Sequence, residues 1–468
     1  MVALRMWEGH ALHVELSHFI RTNSKNAHCL YSKHPHIPLV YNSNGAGKKV
    51  ASQAAFLFPS RFEIERNGLA MNYPLKPAPT GATTTDIPFN KACLLGNEMV
   101  YIMECLDQGH LAGNGAFTKK CEQYFEQRFG IAKALMTTSC TDALEMSAIL
   151  MDLQPGDEVI MPSYTFVSTA NAFLLRGANI VFADSEADTP NIDVHKLEAL
   201  ITDKTKAIVI VHYAGMACHM DALLELTRRH NLFLVEDAAH AIDAYYKGKP
   251  LGTFGHLATF SFHETKNIIC GEGGLLAIND PALIERAEII REKGTNRLAF
   301  FRGQVDKYTW QDIGSSFLPA DYVAAFLWAQ LENMEKIQAR RLEIWQQYYE
   351  LLKPLEEKGL LQLPHLPQGA SNNAHMFYLV CQSLEQRSHI IDTLKKDKVQ
   401  AVFHYLPLHD SPYYQPRHDG RALPNVMRYA DCLLRLPLFF ELSAEQVSRV
   451  AKLVIAACVS YEMSGPER

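Results

Sequence analysis

No apolar run in the 468 residues approaches the roughly 18 needed for a membrane-spanning helix. The ten cysteines include no CxxC pair. That argues against a zinc ribbon or a disulfide framework and reads as reduced thiols. Basic residues do not dominate either: 45 Lys and Arg against 51 Asp and Glu leave a net charge of -6, with no basic face for nucleic acid. The phosphate-binding patterns GxGxxG after a strand and GxxxxGK before Ser or Thr are missing, as is the metal-binding HExxH. The N-terminus lacks the basic-then-apolar order of a secretory signal, so the expected location is the cytoplasm. What is present is ordinary globular composition, 48% hydrophobic and 21% charged, long enough for two or three domains.

Residues 1–86 stand apart. They are rich in His, Ser and Asn, poor in periodicity, and end in the Pro/Thr-rich stretch 74–85. The expectation is a poorly ordered extension, or upstream sequence from a misassigned start with the protein beginning near Met71 or Ile87. From Ile87 the pattern changes. Helical spacing covers Asn97–Cys105 and Phe117–Phe129, and then strands and helices alternate. Strands are expected at 134–138, 158–161, 179–182, 207–212, 232–237 and 258–262, with helices including 141–151, 168–176 and 220–230 between them. Runs that are apolar throughout suit strands buried on both faces, hence an α/β fold with a mostly parallel sheet covered by helices over 87–320. A long helix is expected over Tyr322–Leu352. It leads into a smaller α+β domain within 321–468, with strands at 376–380 and 400–403 and helices at 385–396 and 444–457.

Four features fall at expected strand ends. Ser139-Cys140-Thr141 opens a helix, where free N–H groups and hydroxyls suit an anion; an ordinary N-cap would look the same. Pro162-Ser-Tyr-Thr-Phe166 offers a ring able to stack on a planar cofactor, although most such rings are core. Glu236-Asp237 ends a buried strand, and a buried carboxylate needs a partner, either the next helix or a protonated ring nitrogen. Ser261 and Lys266 follow the next strand, before Gly271-Glu-Gly-Gly274. A lysine so placed can form a Schiff base with pyridoxal phosphate, the pyridinium then serving as electron sink.

With the stretches Ser139-Cys-Thr-Asp-Ala-Leu144, Glu236-Asp-Ala-Ala239 and Ser261-Phe-His-Glu-Thr-Lys-Asn267, the chain resembles the DegT/DnrJ/EryC1/StrS sugar aminotransferases. These are fold-type-I pyridoxal-phosphate enzymes, and the likeness spans Ile87 to about Tyr461. Arg291-Glu-Lys-Gly-Thr-Asn-Arg297, residues 301–310 and Asp312-Ile-Gly-Ser-Ser316 are similar to the subgroup of dTDP-4-amino-4,6-dideoxygalactose transaminases. The resemblance implies that Lys266 carries the cofactor and shuttles the proton, that Asp237 holds the pyridinium and that Phe166 stacks on the ring. The Cys140 N–H, Thr141 and Ser261 would hold the phosphate. His240 stands where relatives usually have glutamine, and its protonation would add a pH dependence. Ser316 stands where many have an asparagine reaching the cofactor of a partner subunit.

The implied reaction has two stages. L-glutamate leaves its amino group on the cofactor and departs as 2-oxoglutarate. The group then passes to dTDP-4-dehydro-6-deoxy-D-glucose, for a surface glycan such as enterobacterial common antigen. A homodimer with the site at its interface is implied as well. Arg302, Lys307 and Tyr308 are candidates for the nucleotide diphosphate, and His212, His263, His375, His404 and His409 for the sugar pocket. Two rivals remain, a sugar 3-dehydratase and a sugar-sensing regulator. The first would carry histidine at position 266, and the second would have lost the lysine or the aspartate.

Overall fold

The computed structural model describes residues 86–464, so the expectations for 1–85 lie outside the described residues. Seven strands form the central sheet: β1 (Lys133–Thr137), β2 (Glu158–Pro162), β3 (Asn179–Ala183), β4 (Thr205–Val211), β5 (Phe233–Asp237), β6 (Leu257–Ser261) and β7 (Gly274–Ile278). Their order is β1-β7-β6-β5-β4-β2-β3. Pairing is parallel except for β7, which runs antiparallel to both of its neighbours. The carboxyl ends of β1, β2, β5 and β6 therefore share one edge, and β7 starts there, with Gly274 in register with both Thr137 and Ser261.

The helices are α1 (Glu98–Asp107), α2 (Ala116–Phe129), α3 (Cys140–Leu150), α4 (Val167–Leu174), α5 (Met220–His230), α6 (Ile284–Arg291), α7 (Arg297–Phe301), α8 (Asp321–Leu331), α9 (Met334–Glu357), α10 (Leu384–Lys396), α11 (Pro424–Cys432) and α12 (Ala444–Ser464). Local chemistry sets several ends. The Ser139 hydroxyl accepts from Asp142 N at 3.1 Å and caps α3, while α2 stops at Gly130 and α5 at Asn231, both left-handed. Alternate side chains of each strand enter opposite cores. Ala134, Met136, Ile208 and Ile210 pack with α2, α5 and α8. Leu135, Ala207 and Val209 pack with α3, α4 and α6 in a core that continues into α9–α12 and the ribbon of β8 (Phe377–Val380) and β9 (Leu433–Leu436). Burial on both faces is why these strands read as unbroken apolar runs.

Three expectations need correction. The single helix over 322–352 is two, α8 and α9, broken at Glu332-Asn333. There the Asn333 side chain donates to Ala329 O at 2.9 Å, taking the acceptor that its backbone N–H would use in a continuing helix. The strand at 400–403 is a pair of single pairings: Gln400 N donates to Ile87 O, and Val402 exchanges bonds with Arg435. The connection between β3 and β4 holds only two short 3-10 turns, Val194–Lys196 and Glu198–Leu200. No helix among the described residues is long and apolar enough to cross a membrane.

Candidate active site

A cavity of about 580 Å³ opens at the carboxyl edge of the sheet. It is lined by Cys140, Thr141, Phe166, Asp237, His240, Ser261 and Lys266, so seven residues singled out on four separate segments meet in one place. On one side lies the N-terminus of α3. The first N–H groups of a helix have no intrahelical acceptor and sit at the positive end of its dipole. The Thr141 hydroxyl donates to Ser168 Oγ at 2.8 Å, which joins the first turns of α3 and α4, and Ser261 ends β6 alongside. Gly274 makes this closeness possible: a Cβ there would stand 2.3–2.4 Å from the backbone of Ser139 and Cys140. Cys140 itself is a poor nucleophile, since burial pushes its thiol up.

Lys266 lies on the loop between β6 and β7, its N–H donating to His263 O at 2.9 Å. Its ammonium forms no ion pair among the described residues. Burial lowers its pKa to about 8, against the opposing pull of Cys140 and Asp237. Asp237 is 5% exposed at the end of β5, and among the described residues no basic side chain forms an ion pair with it. One oxygen accepts from the Thr169 hydroxyl at 2.8 Å and the other from Ala239 N at 3.2 Å. Burial raises its pKa in spite of these bonds. The adjoining Glu236 is fully buried but differently served, accepting from Gly252, Phe254 and Gly255 N–H groups and meeting His212 Nε2 at 2.9 Å. Phe166 caps α4 with its ring 57% exposed toward the cavity, which leaves its face free to stack.

The opposite wall is aromatic and basic. The rings of His240 and His375 stack at 4.2 Å, and those of His404 and Tyr405 at 3.6 Å. Among the described residues His240 Nδ1 has no hydrogen-bond partner, and its Nε2 lies 3.4 Å from the Tyr405 hydroxyl. Burial, followed by the nearby Lys266 and Arg435, holds His240 well below the usual histidine value. That disfavours the protonated ring at position 240. Arg341 and Arg435 also line the cavity, and among the described residues no carboxylate pairs with either. Arg341 is 5% exposed and donates from Nε to Ala374 O and from Nη2 to His375 O, which leaves its other N–H groups for a ligand.

Other expected residues lie elsewhere. Arg302 forms a two-pronged pair with Glu288 at 2.6 and 2.7 Å. Tyr308 packs on Phe300, Lys307 is exposed, and the exposed Ser316 bridges to the buried Glu292. None of the four lines the cavity of this chain. Ion pairs such as Arg286–Asp312 and the bond from Lys293 N to Ser315 O hold their loop on α6 instead. His212 serves Glu236 and His409 bonds Ser163, whereas His263, His375 and His404 do face the cavity.

Sequence reasoning missed Thr169, Tyr405, Arg341 and Arg435. Thr165, Ser168 and Thr169 form a readable cluster of hydroxyls at a helix start, and Arg435 interrupts the apolar run Leu433-Leu-Arg-Leu436. Nothing local marks Tyr405 or Arg341.

The site fits pyridoxal phosphate on three counts: a helix N-terminus with hydroxyls for the phosphate, an unpaired amine for the aldehyde, and a buried carboxylate without a cation for the ring nitrogen. Comparison with known proteins agrees. The DegT/DnrJ/EryC1/StrS aminotransferase family model matches residues 93–455. The spore coat polysaccharide biosynthesis protein SpsC of Bacillus subtilis is 33% identical, over 79% of this chain and 96% of its own. PseC of Helicobacter pylori, an aminotransferase of pseudoaminic acid biosynthesis, superposes with a TM-score of 0.74 at 26% identity, covering 80% of this chain and 100% of PseC. Spr1654 of Streptococcus pneumoniae in its PLP form gives 0.73 at 26%, covering 80% and 99%. The chain therefore belongs to the DegT/DnrJ/EryC1/StrS family and is a pyridoxal-phosphate-dependent aminotransferase.

Proposed function

We propose that this enzyme transfers the amino group of L-glutamate to dTDP-4-dehydro-6-deoxy-D-glucose, giving dTDP-4-amino-4,6-dideoxy-D-galactose for a surface polysaccharide such as enterobacterial common antigen. The observation that carries the reading is the unpaired, pKa-lowered amine of Lys266 in one cavity with the cation-free carboxylate of Asp237. The polysaccharide and amino-sugar roles in the names of SpsC and PseC support a sugar acceptor. The exact sugar rests on the subgroup likeness.

When bound, pyridoxal phosphate supplies the electron sink and carries the amino group between the two substrates. The first turn of α3, with Thr141 and Ser261, would hold the phosphate, Phe166 would cover one ring face and Asp237 would keep the ring nitrogen protonated. Lys266 would move a proton to and from the substrate carbon, a task suited to an amine near neutrality. Arg435 and Arg341, cations without carboxylate partners, suit the carboxylates of L-glutamate. An apolar stripe on α1 (Met99, Val100, Met103 and Leu106), together with Phe301 and Trp310, is exposed in the single chain and suits a cytoplasmic homodimer.

Purified enzyme is expected to show a visible absorption band that L-glutamate bleaches and the keto sugar nucleotide restores, with the amino sugar found by mass spectrometry. Bleaching without restoration by that sugar would refute the acceptor. A cofactor-loaded enzyme indifferent to L-glutamate would refute the donor.

A further inference from the structure

Tyr213 follows β4 and is 1% exposed, so its hydroxyl must find an acceptor inside the protein. It lies 2.7 Å from Nδ1 of His404. Burial holds the phenol well above its ordinary value, and with this nitrogen in reach of the buried hydroxyl we assign the phenol as donor and Nδ1 as acceptor. An Nδ1 that accepts places the imidazole proton on Nε2. Among the described residues Nε2 has no hydrogen-bond partner, and His404 lines the cavity with Lys266. The ring is held by its stack on Tyr405 at 3.6 Å, with His240 on a near-parallel plane at 5.9 Å and Tyr164 edge-on at 6.5 Å. Burial, and after it Arg435, His240 and Lys266, keep it neutral. A neutral imidazole with its proton locked on the cavity side is a donor to an oxygen rather than a base.

The choice of oxygen follows from charge. L-glutamate brings carboxylates, which cationic groups satisfy better, whereas carbonyl and hydroxyl oxygens suit a neutral donor. Resting on the sugar-acceptor reading above, we propose that His404 Nε2–H donates to an oxygen of the amino acceptor, at or beside the carbonyl carbon that receives the amino group. His404 then selects the acceptor in the second half-reaction, and Tyr213 is a positioning residue that fixes its tautomer.

The two half-reactions are separated by following the cofactor absorbance in stopped flow, first with L-glutamate and then with the keto sugar nucleotide. His404→Phe keeps a stacking ring without the donor. It is expected to slow the acceptor half-reaction about 100-fold while leaving the glutamate half-reaction within about threefold. Tyr213→Phe frees the tautomer and is expected to cost about 3- to 10-fold in the acceptor half alone. His404→Gln, which keeps an N–H donor, recovers part of the loss. Equal slowing of both halves would mark His404 as a structural wall and overturn the inference, as would an unaffected acceptor half. A wild-type enzyme that L-glutamate bleaches but no nucleotide-linked keto sugar restores would overturn the acceptor reading and this inference with it.

Discussion

The amine of Lys266, with a pKa lowered to about 8, has two measurable consequences. Only a neutral amine attacks an aldehyde, so uptake of pyridoxal phosphate by the cofactor-free chain should quicken as pH rises through about 8 and level off beyond it. Uptake rates that stay flat across that range would contradict the assignment. The second consequence is for stability. Below about 8 the lysine is charged both folded and unfolded, and burying the charge costs the folded chain. Above 10.5 it is neutral in both states and the cost is gone. Lys266→Met should therefore abolish turnover yet stabilise the cofactor-free chain by about 1–3 kcal/mol at neutral pH, a gain that fades toward 10.5. Chemical denaturation at two pH values would check the sign. Lys266 and Asp237 were legible in the sequence because each closes or follows a run of strand residues whose edge faces the ligand crevice. Arg435 and His404 were not, because their place in the site depends on where the C-terminal segment lies against the sheet.

Among the elements, β7 sets the spacing at the start of α3, the proposed phosphate cradle. It inserts antiparallel between β1 and β6, and its first residue, Gly274, abuts the backbone of Ser139 and Cys140. Gly274→Ala should cost about 1–3 kcal/mol in stability and weaken cofactor binding by displacing the start of α3. Gly271→Ala separates geometry from space: its φ is +84° but no atom lies within 4 Å of the added carbon. That change should cost about 1 kcal/mol and leave cofactor affinity alone. Fluorescence titration of both variants distinguishes the two effects, and equal affinities would contradict the steric account. The strand pattern was readable because apolar runs flanked by turns have one economical arrangement here. The break at Asn333 was not, since a single side chain replaces one backbone bond without disturbing the apolar periodicity.

Over the whole molecule, sequence-distant segments close the site. Ile87, 1% exposed, bonds Lys398 and Gln400, and the neighbouring Phe89 and Asn90 line the cavity. Cutting the chain back through residue 92 should cost at least the about 1.5–3 kcal/mol of one buried isoleucine, and activity with it. Melting and turnover of the trimmed chain decide this, and indifference to the trim would refute it. Glu122 of α2 and Arg291 of α6 form a buried ion pair across another long separation, with Glu122 also accepting from Met136 N at 3.1 Å. The late arrival of β7 between two older strands has a consequence during synthesis. A chain leaving the ribosome displays Asp237 and Lys266 before Gly274 can thread into place, and Arg435 and His404 emerge last of all. A half-made polypeptide has nowhere to seat its vitamin-derived partner, so loading waits for the finished subunit.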